Sequence, residues 1–277
     1  MASMVPALKI LVFLQLLLST TFVAGGNPKR GLTVVQGSES DLVKASSGQC
    51  SWFYNWSPTP PASTHAGLEF VAMQWGREDI AQFANIVRRN GAKTVLGFNE
   101  PDLPGQSNIP PAEAAQLWQQ YIQPLKSTGV RLGSPAVSSA PNGVPWLSSF
   151  IKACTGCTID FVVVHWYGEG ADNFIRYLAN VHAQFPQHPI WITEFADSST
   201  NAGDVTIFMD TVLRYLDEQP WIERYSWFAF ARTLGGLQSN LLDGNGNFNA
   251  LGSSYIAGSS LRARRAHARR RRLSIGT

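Results

Sequence analysis

Short apolar runs recur along the chain, and most are separated by stretches with helical periodicity. The runs cover residues 31–35, 51–55, 68–73, 94–98, 130–134, 159–166, 190–194 and 224–230. The run at 159–166 is almost wholly apolar, as a strand covered on both faces must be. Ile80, Phe83, Ala84 and Val87 mark one face of a helix over 77–90, and Gly91 stands where a C-terminal cap belongs. Residues 111–127 read as a second helix, with Pro111 at its start and Gly129 just past its end. Further helices are predicted over 146–154, 171–185 and 205–216, and a short one near 41–45. In the 205–216 helix Val205, Met209, Val212 and Leu216 share a face. The loop 57–67, with prolines at 58, 60 and 61, replaces the helix expected after the second strand. Strands alternating in this way with helices predict the α/β class and a single (β/α)8 TIM barrel. The alternative, a doubly wound sheet, lacks a Gly-x-Gly-x-x-Gly after any strand. No linker divides residues 26–258, so one domain is expected there.

Both ends of the chain depart from this pattern. Lys9 precedes an apolar run from Ile10 to Leu18 broken only by Gln15, and small residues follow at Ala24, Gly25 and Gly26. Residues 1–25 therefore read as a secretory signal peptide, since the run is too short to span ~30 Å of hydrocarbon. Secretion to the cell exterior or wall is the expectation, with no membrane span elsewhere. At the other end, residues 259–277 hold seven arginines and almost no apolar side chain, and are expected to be a disordered tail. The formal charge of +3 belongs to that tail; removing its seven arginines leaves −4 on the rest. The tail reads first as an inert end of the chain; as a binding element in a secreted protein it points to acidic wall polymers, and no nucleic-acid partner is expected.

Hydrophobic residues make up 44% of the chain and charged residues 15%, as in an ordered globular protein with a fairly uncharged surface. The nine tryptophans serve a large core, sugar stacking, or both. Cys154 and Cys157 form a C-x-x-C. One such pair cannot supply four zinc ligands, and its context is not thioredoxin-like, so a local disulfide is expected in an oxidising compartment. Cys50 is left over.

The polar residues at the strand ends carry the candidate chemistry, because the loops after barrel strands build the active site. The second strand ends in Tyr54, Asn55 and Trp56, the third in Gln74 and Trp75, and the sixth in His165, Trp166 and Tyr167. The fourth empties into Asn99-Glu100-Pro101 and the seventh into Glu194-Phe195; the eighth carries Trp227. Two glutamates in matched strand-end contexts are the equipment for hydrolysing a glycosidic bond. The other groups on the rim suit a polyhydroxylated neutral ligand. Trp191, within a strand, reads as core. His65, His182 and His188 lack metal-ligand spacing, and the stretch from Asp243 to Asn247 lacks the Gly and Glu of a calcium loop and reads as a turn. No metal and no cofactor are expected. The sequon Asn55-Trp56-Ser57 is followed by Pro58 and lies near the rim, so its use is not expected.

Gly-Phe-Asn-Glu-Pro-Asp at 97–102, His-Trp-Tyr-Gly at 165–168 and Trp-Ile-Thr-Glu-Phe at 191–195, in that order, resemble glycoside hydrolase family 128. These are fungal-type endo-β-1,3-glucanases with an Asl1-like catalytic domain, and the likeness runs from Lys29 to about Tyr255. The resemblance implies a retaining double displacement on β-1,3-glucan, with Glu194 as nucleophile and Glu100 as acid and base. It gives Asn99 a contact to the sugar 2-hydroxyl, and Tyr167 or His165 the task of orienting Glu194. Trp75 and Trp227 are the expected stacking platforms and Asn55 a further substrate contact; Trp52, Trp56 and Trp166 are weaker candidates because strand alternation can turn them outward. A monomer is expected. The arginine tail is foreign to the family pattern. The alternative is a glucan-binding or wall-linkage protein that has kept a cleft without turnover.

Overall fold

The computed structural model describes residues 27–63 and 67–257. The segment expected to be a signal peptide, the expected arginine tail and His65 lie outside the described residues. The strands are β1 (Arg30–Val34), β2 (Trp52–Tyr54), β3 (Glu69–Phe70), β4 (Ala72–Met73), β5 (Thr94–Leu96), β6 (Arg131–Val137), β7 (Phe161–Gly168), β8 (Ile190–Asp197) and β9 (Ile222–Phe230). All neighbours pair in parallel, in the order β3-β2-β1-β9-β8-β7-β6-β5-β4. The two ends of that order are halves of one strand: β3 pairs with β2, β4 pairs with β5, and only Val71 lies between them. The Val71 N–H donates to the Phe53 carbonyl at 2.9 Å. The sheet thus closes on itself into the (β/α)8 barrel that the alternation of patterns predicted.

Period-2 alternation sorts the strand side chains into two layers. Trp52, Tyr54, Val71, Met73, Leu96, Phe161, Val163 and Trp191 fill the barrel interior. Phe161 stacks on Trp191 with centroids 4.0 Å apart, and Trp52 lies 5.2 Å from Trp191. Trp191 is therefore core. The intervening residues, such as Phe53, Val162, Val164 and Trp166, face outward into a second layer under the helices.

The helices are α1 (Ile80–Asn90), α2 (Pro111–Leu117), α3 (Gly143–Ala153), α4 (Ala171–Gln184) and α5 (Ala202–Glu218). Gly91 ends α1 in the left-handed conformation, φ 72°, which glycine adopts without the Cβ penalty. The single helix expected over 111–127 breaks. After Leu117 the chain runs through a π-turn at Trp118–Ile122 and a 3-10 stretch at Gln123–Thr128. Pro124 explains this, since it offers no N–H and clashes with the carbonyl four residues back. The short helix after β1 is 3-10, Glu39–Ser47. No helix follows β2 among the described residues; the loop there is pinned instead by Met73 N–H to Ser57 O at 3.0 Å and Asn90 Nδ2 to Pro58 O at 2.8 Å. Cys154 and Cys157 form a disulfide. Cys50 is free and buried, and burial pushes its thiol up to about 12. No helix among the described residues is long and apolar enough to cross a membrane.

Candidate active site

Glu100 leaves the barrel one turn beyond β5. Asn99 bridges to Ala136 on β6, and the Glu100 N–H donates to the Ala136 carbonyl at 2.7 Å. Its φ of 39° is left-handed, a conformation that non-glycine residues hold mainly where the surroundings impose it. Asp102 supplies that imposition. Its Oδ1 accepts from Ser138 N–H at 3.0 Å and its Oδ2 from the Ser138 hydroxyl at 2.5 Å, clamping the loop to the end of β6.

Glu194 reaches the same space through an irregularity in β8. Val164 of β7 pairs with Ile192, but the next residue, His165, pairs with Glu194. Thr193 is the extra residue of a bulge, and such a bulge re-aims the side chains around it. Strict alternation from Trp191 would turn Glu194 outward; with the bulge, both Thr193 and Glu194 face the barrel axis.

Three donors then fix the Glu194 carboxylate. Oε1 accepts from Trp56 Nε1–H at 2.8 Å and from the Tyr54 hydroxyl at 3.0 Å, and Oε2 accepts from the Tyr167 hydroxyl at 2.5 Å. Burial, reinforced by the Glu194 charge, raises both tyrosines well above their ordinary range, so they remain donors. His165, fully buried, lies between the glutamates. Its Nδ1 is 3.0 Å from Glu100 Oε1, and its Nε2 is 2.9 Å from Thr193 Oγ1 and 3.5 Å from Glu194 Oε1. Burial alone would lower this imidazole, but the Glu194 charge and the bond to Glu100 outweigh it and raise it.

Carboxylate oxygens of Glu100 and Glu194 and a ring nitrogen of His165 all lie within 4.8 Å of one another. Among the described residues this is the one such group able to hold a metal ion. Both ring nitrogens of His165 are already engaged in hydrogen bonds, so the trio reads as a proton-handling cluster.

The glutamates open into a cleft of about 490 Å³. Asn99, Gln106, Trp75, Tyr167 and Phe228 line it, together with Leu234 and Leu237 from the loop after β9. Asn99 donates to Gln106 Oε1 at 3.1 Å, while its own Oδ1 is buried without a partner. That oxygen is free to accept from a ligand hydroxyl.

A family model described as the glycosyl hydrolase catalytic core matches residues 31–255. A solved family-128 (subgroup III) structure, a curdlan-specific exo-β-1,3-glucanase from Blastomyces gilchristii in complex with glucose, is 34% identical, with a TM-score of 0.73 over 83% of this chain and 98% of that one. The chain belongs to glycoside hydrolase family 128. Another family-128 structure, an endo-β-1,3-glucanase from Amycolatopsis mediterranei with laminaritriose, is 32% identical over 82% of this chain and 98% of that one, with a TM-score of 0.70. Alkali-sensitive linkage protein 1 of Schizosaccharomyces pombe is 36% identical over 248 residues, or 83% of this chain. The chain spans 44% of the length of that relative.

Within this family-128 barrel, Glu100, Glu194, Asn99, Trp75 and Tyr167 line one cleft, with His165 beneath them. Two expected substrate contacts lie elsewhere. Trp227 is fully buried in the outer layer, edge-on to Phe195 and tilted against Phe208, and its Nε1–H donates to Ser239 O at 2.7 Å. The expectation of a sugar platform at Trp227 is corrected. Alternation along β9 turns Trp227 outward and gives the cleft to its neighbour Phe228. Asn55 is likewise absent from the cleft lining; Tyr54 and Trp56 on either side of it are the residues that bond Glu194. Trp166 also faces outward, stacked on Phe208. Gln106, Leu234 and Leu237 sit on loops without periodicity, and no sequence signal marks them. His182 stacks on Trp221, and Asp243 Oδ1 accepts from the N–H groups of Asn245 and Asn247, so that stretch is a turn.

Proposed function

We propose that the protein is a secreted endo-β-1,3-glucanase of the retaining type, with Glu194 as nucleophile and Glu100 as acid and base. The observation that carries the reading is the close approach of the two carboxylates, one oxygen of each lying within 4.8 Å of the other. Retention needs carboxyl groups ~5–5.5 Å apart, whereas inversion needs ~6.5–9.5 Å to admit a water.

Glu194 attacks the anomeric carbon as protonated Glu100 gives its proton to the departing glycosidic oxygen. The carbon–oxygen bond breaks and a glycosyl ester forms on Glu194. Glu100, now a carboxylate, takes a proton from water; the water oxygen attacks the same carbon and frees Glu194. Tyr54, Trp56 and Tyr167 hold the nucleophile in place through both steps. His165 holds Glu100 from below. The free Asn99 Oδ1 suits the sugar 2-hydroxyl, a contact that strengthens at the transition state.

The glucan substrate is supported by the solved relatives, one described as curdlan-specific and one solved with laminaritriose. Those relatives act in exo and endo fashion respectively, so product size decides the mode for this chain. The leader at residues 1–25 supports export. A second reading, a wall-linkage protein that binds glucan without turnover, draws on the name of the Schizosaccharomyces relative.

Incubation of the purified protein with laminarin, followed by product sizing and anomeric analysis, tests both. Mixed short oligosaccharides released as the β-anomer are the expected result, and Glu194→Gln is expected to abolish release by at least about 10³-fold while keeping glucan binding. Release of the α-anomer would exclude Glu194 as nucleophile. Binding without products from the wild type would favour the linkage reading.

A further inference from the structure

Trp75 is the most exposed tryptophan along the cleft, with 36% of its surface open, and it has a hollow on each side. One is the catalytic cleft. The other, about 350 Å³, shares Trp56 and Trp75 with it and continues over Pro58 to Glu78 and Asp79 at the head of α1. The space exists because a proline-rich loop stands where a helix would follow β2.

We propose that this second hollow is a distal glucosyl subsite, in which Glu78 and Asp79 accept hydroxyl hydrogen bonds from a sugar ring packed against Trp75 and Trp56. The inference rests on the β-1,3-glucan reading above and adds where the next part of the chain is held.

The polar groups of the hollow are left over from the fold. Asp79 occupies the N-cap position of α1, yet its side chain makes no capping bond. Its backbone is left-handed, φ 54°, outside the extended conformation from which a residue normally caps a helix. The Glu78 carboxylate folds over Gly76, where an added Cβ would meet Glu78 Oε2 at 2.6 Å. The Glu78 carboxylate lies in the field of the neighbouring Arg77, and its backbone carbonyl accepts from Gln74 Nε2–H at 2.9 Å. Two exposed carboxylates lining one hollow with two indoles fit a sugar, which offers hydroxyl donors at its rim and C–H groups on its faces. Calcium would need six to eight oxygen ligands, and two carboxylates beside indoles do not supply them.

The walls are also braced. Gln74 is buried and donates to the carbonyls of Gly76 and Glu78, both at 2.9 Å. Asn90 holds the Pro58 carbonyl at 2.8 Å. A ligand entering here orders little of the protein, so its contacts appear as affinity.

The test compares the full chain with Glu78→Gln/Asp79→Asn on laminari-oligosaccharides of three to six units. Glutamine is isosteric with glutamate, and asparagine tolerates the left-handed backbone at position 79, so both changes keep the fold. The wild type is expected to gain kcat/KM with chain length. The variant is expected to lose about tenfold or more on the longest oligosaccharides, since it replaces charged acceptors, and to match the wild type within about twofold on the shortest one cleaved. An equal loss at every length, or none at any length, overturns the subsite while leaving the glucanase reading intact. If the wild type neither cleaves nor binds laminarihexaose, the glucan reading falls and the subsite with it. If it binds without cleaving, calorimetric titration of the same variant decides: unchanged hexaose affinity overturns the subsite.

Discussion

Tyr167 is where a single hydrogen makes a measurable difference. Its hydroxyl is the only donor to Glu194 Oε2 among the described residues, at 2.5 Å, and the phenol is held protonated by burial and by that same charge. Tyr167→Phe removes the bond without changing the ring that packs edge-on against Phe228. A bond to a charged acceptor contributes about 1.5–3 kcal/mol, so kcat is expected to fall on the order of 10–100-fold as the carboxylate loses its orientation. KM should move little, which steady-state kinetics on laminarin will show. His165 gives a different readout, in stability. Burial opposes its protonation, but the charge of Glu194 and the bond to Glu100 prevail, so its folded-state value is raised above the ordinary 6.5. A histidine raised on folding adds stability that is complete below its unfolded value and is lost as pH climbs through the folded one. The urea midpoint of the wild type is therefore expected to decline as pH rises above about 6.5. In His165→Gln that decline should flatten; parallel curves would remove His165 as the cause.

Among the elements, β9 separates a packing tryptophan from a ligand-facing one. Trp227→Ala would empty a site enclosed by Phe195 and Phe208 and orphan the Ser239 carbonyl, a loss of about 3–5 kcal/mol in unfolding free energy. Trp75→Ala removes an exposed ring, so stability should hold while KM for laminari-oligosaccharides rises; chemical denaturation and kinetics on the two variants check the contrast. The same strand shows how far sequence alone reaches. The eight apolar runs and both strand-end glutamates were legible because buried parallel strands and their C-terminal loops have strong signatures. Alternation also carried information that the strand-end reading passed over. Trp52, Tyr54 and Trp56 at spacing two share the inner face, and that phase selects Tyr54 and Trp56 over Asn55. It likewise selects Phe228 over Trp227. What no local pattern reveals is the bulge at Thr193, because it is set by pairing with β7 across the barrel. The break of the helix after Leu117 was foreshadowed by Pro124, whose effect outweighed the helical periodicity around it.

At the scale of the whole barrel, the loop after β9 meets the 3-10 helix after β1, joining the first and last elements of the described body. The loop after β9 carries Leu234 and Leu237 to the cleft; it is tied to its own strand by Trp227 Nε1–H to Ser239 O at 2.7 Å and Leu241 N–H to Ala229 O at 3.1 Å, and also to the 3-10 helix after β1. Arg232 donates to both Asp41 oxygens, at 2.9 and 3.2 Å, and Lys44 Nζ donates to the Gly246 carbonyl at 2.6 Å. Gly246 is left-handed, φ 74°, and a Cβ there would overlap the Asp41 carboxylate, so the approach requires glycine. The Arg232–Asp41 pair is solvent-facing on the arginine side, and such pairs add little to global stability. Its consequence is local: without it, the loop that carries the two leucines loses one of its ties. Arg232→Ala is therefore expected to leave the melting temperature nearly unchanged and to raise KM for laminarin by roughly two- to fivefold, with kcat kept. Because an exposed ion pair is screened by salt, the wild type should drift toward the variant's KM as ionic strength rises to about 1 M, while the variant itself stays flat. A KM gap that persists undiminished at high salt would mean that the arginine acts by contact with substrate and not by holding the loop.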